Sequence, residues 1–166
     1  MQRTLDAVAP AHAVFASNTS SLTIAAMAPA SGRADRMIGL HFFNPVPLMK
    51  LVEVVRTVTT SEATFEATMA FARKLGKEPI EAKDNSGFVV NRLLVPYMLD
   101  AIVALERGVG TVRDIDLGMQ LGAGHPMGPF TLLDFVGLDT TYKIAEIMFS
   151  GYRERPYAPP PLLNPI

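Results

Sequence analysis

The stretch Met37-Ile38-Gly39-Leu40-His41-Phe42-Phe43-Asn44-Pro45-Val46-Pro47, followed closely by Lys50-Leu51-Val52-Glu53-Val54-Val55, decides how this chain is read. The first apolar run ends in a histidine and two aromatics and is broken by Asn44-Pro45 before a second apolar run begins. Short apolar runs bounded by turn residues predict strands, here over 37–43 and 51–58, with His41 delivered toward a loop. Glu53 follows His41 by twelve residues and falls in the second run. Two neighbouring strands would bring imidazole and carboxylate within hydrogen-bond reach. A carboxylate there fixes the histidine tautomer and favours the imidazolium formed when the ring takes a proton. The same spacing also fits a satisfied strand-end histidine and an exposed edge-strand glutamate.

Working outward, residues 13–83 alternate strand-like and helical patterns. Ala13-Val14-Phe15-Ala16 predicts a strand, Ser17-Asn18-Thr19-Ser20-Ser21 a polar turn, and 22–28 a short helix capped by Ser20 or Ser21. Thr60 or Ser61 can cap a helix in which Phe65, Met69 and Ala72 fall at i, i+4 and i+7 and Gly76 closes the last turn. Residues 79–82 predict a further short strand. Such alternation argues for an α/β sheet domain over 1–85.

After Asp84-Asn85-Ser86-Gly87 the strand signals stop, and residues 86–166 read as all-α. The run 88–107 is apolar nearly all round, which predicts a buried helix bent at Pro96 and closed by Gly108. Thr111-Val112-Arg113-Asp114 has capping-box spacing, with Asp in place of Glu or Gln, and opens a second helix toward Leu121. A Gly/Pro-rich turn over 122–129 leads into helices through about residue 150, by the same period. Ala158-Pro159-Pro160-Pro161 reads as a linker or arm. No internal repeat is visible.

Composition bounds the function. The 166 residues are 49% hydrophobic and 19% charged, which supplies a core and carries no disorder signature. A net charge of −1, from 15 basic and 16 acidic side chains, leaves no electrostatic footprint for nucleic acid. Cysteine is absent, so disulfides, thiolate nucleophiles and Cys-containing zinc sites are excluded. The three histidines, 12, 41 and 125, are scattered, and no metal site is expected. His12 sits in a polar lead-in and His125 in a loop. No run reaches the ~18 apolar residues of a membrane span, and the first residues lack a secretory signal, so a soluble intracellular protein without membrane partners is expected.

Five ordered blocks carry a resemblance: Ser17-Asn18-Thr19-Ser20-Ser21-Leu22, 39–47, 50–55, 84–94 with Asn91-Arg92, and 122–129. Together they make the chain similar to the central portion of the L-3-hydroxyacyl-CoA dehydrogenases, most of all the short-chain 3-hydroxybutyryl-CoA members. The resemblance implies the second half of a Rossmann-type NAD-binding domain followed by a helical domain for substrate and dimerisation. It implies interconversion of (S)-3-hydroxyacyl-CoA and 3-oxoacyl-CoA in fatty-acid or butyrate metabolism, with NAD, or NADP, as cofactor. An acyl-CoA thioester substrate, a homodimer and a cytoplasmic setting, or the mitochondrial matrix in a eukaryote, come with it.

By the same resemblance His41 corresponds to the catalytic base and Glu53 to its carboxylate partner. Ser20 matches the serine that bonds the substrate oxygen and touches the cofactor, and Asn18 lies where the family contacts the cofactor. Asn44 lies at the acyl-CoA, and Asn91 matches the catalytic asparagine near the thioester. Taken without the family, Ser20 reads as a helix cap, Asn44 as a turn residue before proline and Asn91 as a helix-surface amide.

Members of this family open with a strand, a Gly-rich turn and a helix that holds the pyrophosphate. The nearest pattern here, Gly122-Ala123-Gly124 with Gly128, has the wrong spacing and follows a helix. The expectation is therefore of a chain that starts within the dinucleotide-binding domain, stops short of the family's closing segment and has little NAD-dependent activity alone. The alternative function that follows is an inactive fragment or dimerisation module of such an enzyme.

Overall fold

The computed structural model describes residues 2–20, 22–28 and 31–164, which fall into two compact units, 1–89 and 90–166. The expected order, α/β first and all-α second, is the order the chain adopts.

The first unit is built on a four-stranded sheet of β1 (Phe15–Ser17), β2 (Met37–Phe42), β3 (Leu51–Arg56) and β4 (Glu78–Lys83), in that spatial order. β1 runs parallel to β2 and β3 parallel to β4, while β2 and β3 are antiparallel. Because successive side chains on a strand point to opposite faces, the two central strands sort their residues by parity. Ile38, Leu40, Val52 and Val54 pack with Phe65 and Ala72 of helix α2 (Glu62–Lys74). Met37 and Val55 face the other way and pack with Ile24, Ala82 and Phe88. Both faces are covered, which is why these strands read as nearly unbroken apolar runs rather than as alternating ones.

Helix α2 begins where the sequence places its cap. The Ser61 hydroxyl accepts from the Thr64 N–H. It ends in a Schellman turn, with the Gly76 N–H on the Arg73 carbonyl, the Lys77 N–H on that of Ala72, and Gly76 at φ 73°. The Lys77 ammonium then donates to the carbonyls of Val46 and Met49, pinning the loop between β2 and β3.

Two features of this unit differ from the sequence reading. Helix α1 (Gln2–Val8) was not signalled, because it carries no capping box and no long apolar stripe. Residues 22–27 form no helix. A single turn closes over 24–28, with the N–H groups of Met27 and Ala28 on the Ile24 carbonyl. Its cap is Asp84, whose carboxylate accepts from the Ile24 and Ala25 N–H groups at 2.7 and 2.6 Å. Ser20 is thereby released from capping; Ser21 lies outside the described residues.

The second unit packs α3 (Val90–Glu106), α4 (Val112–Leu117), α5 (Pro129–Val136) and α6 (Leu138–Tyr152). Val95, Met98, Leu99 and Ile102 of α3 meet Leu133, Ala145 and Met148 in one core. α3 is one-sided rather than buried all round: Leu93 is 71% exposed. Thr111 caps α4 by accepting from the Asp114 N–H and also bonds the Asp114 carboxylate. A π turn, Gly118–Gly122, continues α4. Asp116 reaches from α4 to the start of α5, where it accepts from the Phe130 and Thr131 N–H groups and the Thr131 hydroxyl. The Pro-rich tail is not a free arm. Tyr157 and Leu163 enter this unit's core, and the Leu162 N–H donates to Glu106.

Candidate active site

The antiparallel register of β2 and β3 sets His41 directly opposite Glu53. Both lie on the face away from α2, and both are buried, His41 at 4% exposure and Glu53 at 0%. His41 Nδ1 is 2.7 Å from Glu53 Oε2, and its Nε2 is 3.1 Å from the Ser20 hydroxyl. An ionised carboxylate only accepts hydrogen bonds, so Nδ1 carries the proton and Nε2 presents its lone pair to Ser20. A buried charge must be paired, and the second oxygen, Oε1, accepts from the Val89 N–H at 3.0 Å. The ring itself packs near Phe43 and Phe88, at centroid distances of 4.6 and 5.5 Å.

Ser20 and Asn18 follow the carboxyl end of β1. Asn18 is exposed, and its side-chain oxygen accepts from the Phe42 N–H at 2.9 Å, which ties the segment after β1 to the end of β2 next to His41. Asn44 is exposed in the loop between β2 and β3, at the cis Asn44-Pro45 bond. Asn91 belongs to the second unit, in the first turn of α3. Of the residues singled out from the sequence, Ser20, His41 and Glu53 thus form one hydrogen-bonded line and Asn18 joins it through the backbone. His125, read as a loop residue, lies between the π turn and α5 and bonds the Tyr97 hydroxyl at 3.0 Å. Burial, then the negative charge of Asp116, pushes the Tyr97 phenol above its ordinary value.

Sequence reasoning missed Val89, Phe88 and Asp84 as members of this surrounding. All three stand inside one of the five blocks, but a backbone N–H such as that of Val89 leaves no mark in a sequence. Among the described residues no group of three or more His, Cys, Asp or Glu could hold a metal ion.

This is an imidazole oriented by a buried carboxylate, with a hydroxyl at its free nitrogen, on the two central strands of a mixed sheet: an arrangement able to move a proton. The description "3-hydroxyacyl-CoA dehydrogenase, NAD binding domain" matches residues 1–85, and the C-terminal domain of the same family matches 87–166. The chain belongs to the 3-hydroxyacyl-CoA dehydrogenase family. It is 56% identical over 161 residues to the human mitochondrial hydroxyacyl-coenzyme A dehydrogenase, covering 96% of this chain and 51% of that protein. With the probable 3-hydroxybutyryl-CoA dehydrogenase of Bacillus subtilis it shares 50% over 164 residues, 99% of this chain and 57% of that one. The crystal structure of (S)-3-hydroxybutyryl-CoA dehydrogenase PaaH1 from Ralstonia eutropha superposes with a TM-score of 0.94 at 43% identity, covering 97% of this chain and 57% of that one. The chain therefore spans about half the length of the curated relatives it matches.

Proposed function

We propose that this chain carries the proton-transfer centre of an oxidoreductase that interconverts (S)-3-hydroxyacyl-CoA and 3-oxoacyl-CoA with NAD(P). The observation that carries the reading is the buried line Ser20–His41–Glu53. In the oxidative direction His41 Nε2 takes the proton of the 3-hydroxyl, and in the reductive direction it returns one to the 3-oxo oxygen. Glu53 keeps Nδ1 protonated and balances the charge of the imidazolium while the proton resides on the ring. Ser20 donates to the substrate oxygen and so holds it near Nε2.

The residues present fit the nicotinamide end of the cofactor. Asn18 and Ser20 lie outside the carboxyl end of β1, where open α/β sheets bind ligands. Their donors are uncharged, suiting amide and hydroxyl groups, and the Asn18 amide nitrogen makes no bond among the described residues. When bound there, the nicotinamide accepts or donates the hydride at C3. Asn44 is assigned to the acyl-CoA and Asn91 to the thioester side.

A homodimer formed through the second unit accompanies this reading. Support comes from apolar side chains left exposed there, Leu121 at 83%, Val109 at 74% and Phe135 at 66%. The mitochondrial relatives support a matrix setting in a eukaryote and the bacterial ones a cytoplasmic setting. Among the described residues no helix is long and apolar enough to cross a membrane.

The test is His41→Gln in the full-length protein, followed as acetoacetyl-CoA-dependent NADH oxidation. Turnover should fall about 10²–10⁴-fold, the range for one general acid or base, while NADH binding by fluorescence titration persists. Unchanged turnover would remove the reading.

A further inference from the structure

The six residues after β4 touch His41 and Glu53 and fasten the loop that bears Ser20. Asp84 does the fastening through the backbone: its two carboxylate oxygens accept from the Ile24 and Ala25 N–H groups, closing the turn four residues beyond Ser20. Ile24, at the head of that turn, is fully buried against the sheet.

Residues 85–88 then form a tight turn, with the Phe88 N–H on the Asn85 carbonyl at 2.9 Å and Gly87 at φ 78°. A type II turn needs positive φ at its third residue, which glycine supplies without steric cost. Phe88 also has positive φ, 47°, an uncommon conformation for a residue with a Cβ. Two things follow from it at the site. The Phe88 ring, 4% exposed, packs 5.5 Å from the His41 ring, and the next N–H, that of Val89, reaches Glu53 Oε1.

We propose that segment 84–89 is the positioning element of the proton-transfer centre, with Asp84 setting Ser20 and Phe88 setting His41 and Glu53. The proposal rests on the roles given to Ser20, His41 and Glu53 under the proposed function. It assigns Asp84 and Phe88 no contact with substrate; they act through the three residues they hold. A backbone aimed at functional groups explains why a left-handed phenylalanine is kept here, where a core role alone would need only an apolar side chain.

Kinetics of the full-length protein test it. Asp84→Ala should lower kcat about tenfold to a hundredfold, because a displacement near 1 Å at a reacting group costs that much. Asp84→Asn should recover part of the loss, since the amide oxygen still accepts one of the two N–H groups. The deciding measurement is the double-mutant cycle with Ser20→Ala. If Asp84 works through Ser20, Asp84→Ala costs nothing further in the Ser20→Ala background; if it only supports the fold, the two losses multiply. Phe88→Leu, which keeps the burial and drops the ring, gives the matching cycle with Glu53→Gln. Wild-type kcat in Asp84→Ala, or multiplying losses in the Ser20 cycle, overturns the proposal. Should Asp84→Ala fail to fold, Asp84→Asn carries the same cycle. His41→Gln run alongside separates the two levels. A silent His41 variant removes the functional reading, whereas an inactive one with multiplying losses removes only the role of segment 84–89.

Discussion

Replacing Glu53 by glutamine removes a charge and one acceptor while leaving the shape almost unchanged, and the structure says what that does. The His41 Nδ1–H points at Oε2 of the carboxylate and the Val89 N–H at Oε1. An amide offers one oxygen and one NH₂ group. If its oxygen faces Val89, the NH₂ faces the imidazole and forces the proton from Nδ1 to Nε2. The base then presents a hydrogen where it must present a lone pair. If the oxygen faces the imidazole, the Val89 N–H meets the amide NH₂ in a buried setting, at a cost of about 1–3 kcal/mol. In either state the imidazolium loses its buried counter-charge. Loss of proton transfer from one such group amounts to about 10²–10⁴-fold in kcat, and the tautomer argument places Glu53→Gln inside that range. The assay is steady-state NADH oxidation with acetoacetyl-CoA in the full-length protein, with NADH affinity measured separately. A variant within about threefold of wild-type kcat, well below the range for one acid or base, would refute both the tautomer assignment and the role of the pair.

Two further outcomes are expected. At Gly39, a Cβ would lie 2.6 Å from Val55 Cβ and 3.0 Å from Ile24 Cγ1, so Gly39→Ala forces the strand pair and the 24–28 turn apart. Stability measured by thermal unfolding should fall by about 1–3 kcal/mol, and kcat should fall with it because that turn follows Ser20. An unchanged midpoint would mean the sheet yields freely there. At Asp116, burial pushes the carboxyl up, but hydrogen bonds from the Thr131 hydroxyl and the Phe130 and Thr131 N–H groups outweigh it and leave the group below its ordinary 3.8. A depressed folded value stabilises above the unfolded one and is lost as pH falls through it. Asp116→Asn should therefore lower stability in urea unfolding at neutral pH, and the gap from wild type should shrink below about pH 4. A gap that widens on acidification would contradict the assignment.

Much of the fold was legible because it is encoded locally. The Ser61 cap, the Gly76 terminus and the Thr111–Asp114 box depend on residues within one or two turns of each other, so their chemistry shows in a short window. The failures are equally specific. Residues 22–28 looked like a helix because Ser20 and Ser21 suit a cap, yet the cap of the turn that forms is Asp84, sixty residues from Ile24. The Pro-rich tail looked free because proline excludes regular helix, but Tyr157 and Leu163 beside it are drawn into the second unit's core by burial. α3 looked buried all round because hydrophobicity says which residues can be covered, not which are.

The sequence by itself determined the strand and helix periods, the residue types able to move a proton and the ordered blocks that mark the family. It also placed His41 and Glu53 twelve residues apart in two consecutive strand-like runs, where neighbouring strands could bring them within reach. Only the tertiary structure decided that they meet. A one-residue slip between β2 and β3 would send one of them to the α2 side, and the pairing register is held by packing on both faces and by contacts far apart in the chain. The same holds for Ser20, Phe88 and the Val89 N–H: their chemistry is ordinary in sequence and becomes a site through the positions into which the sheet and its two edge loops lock them.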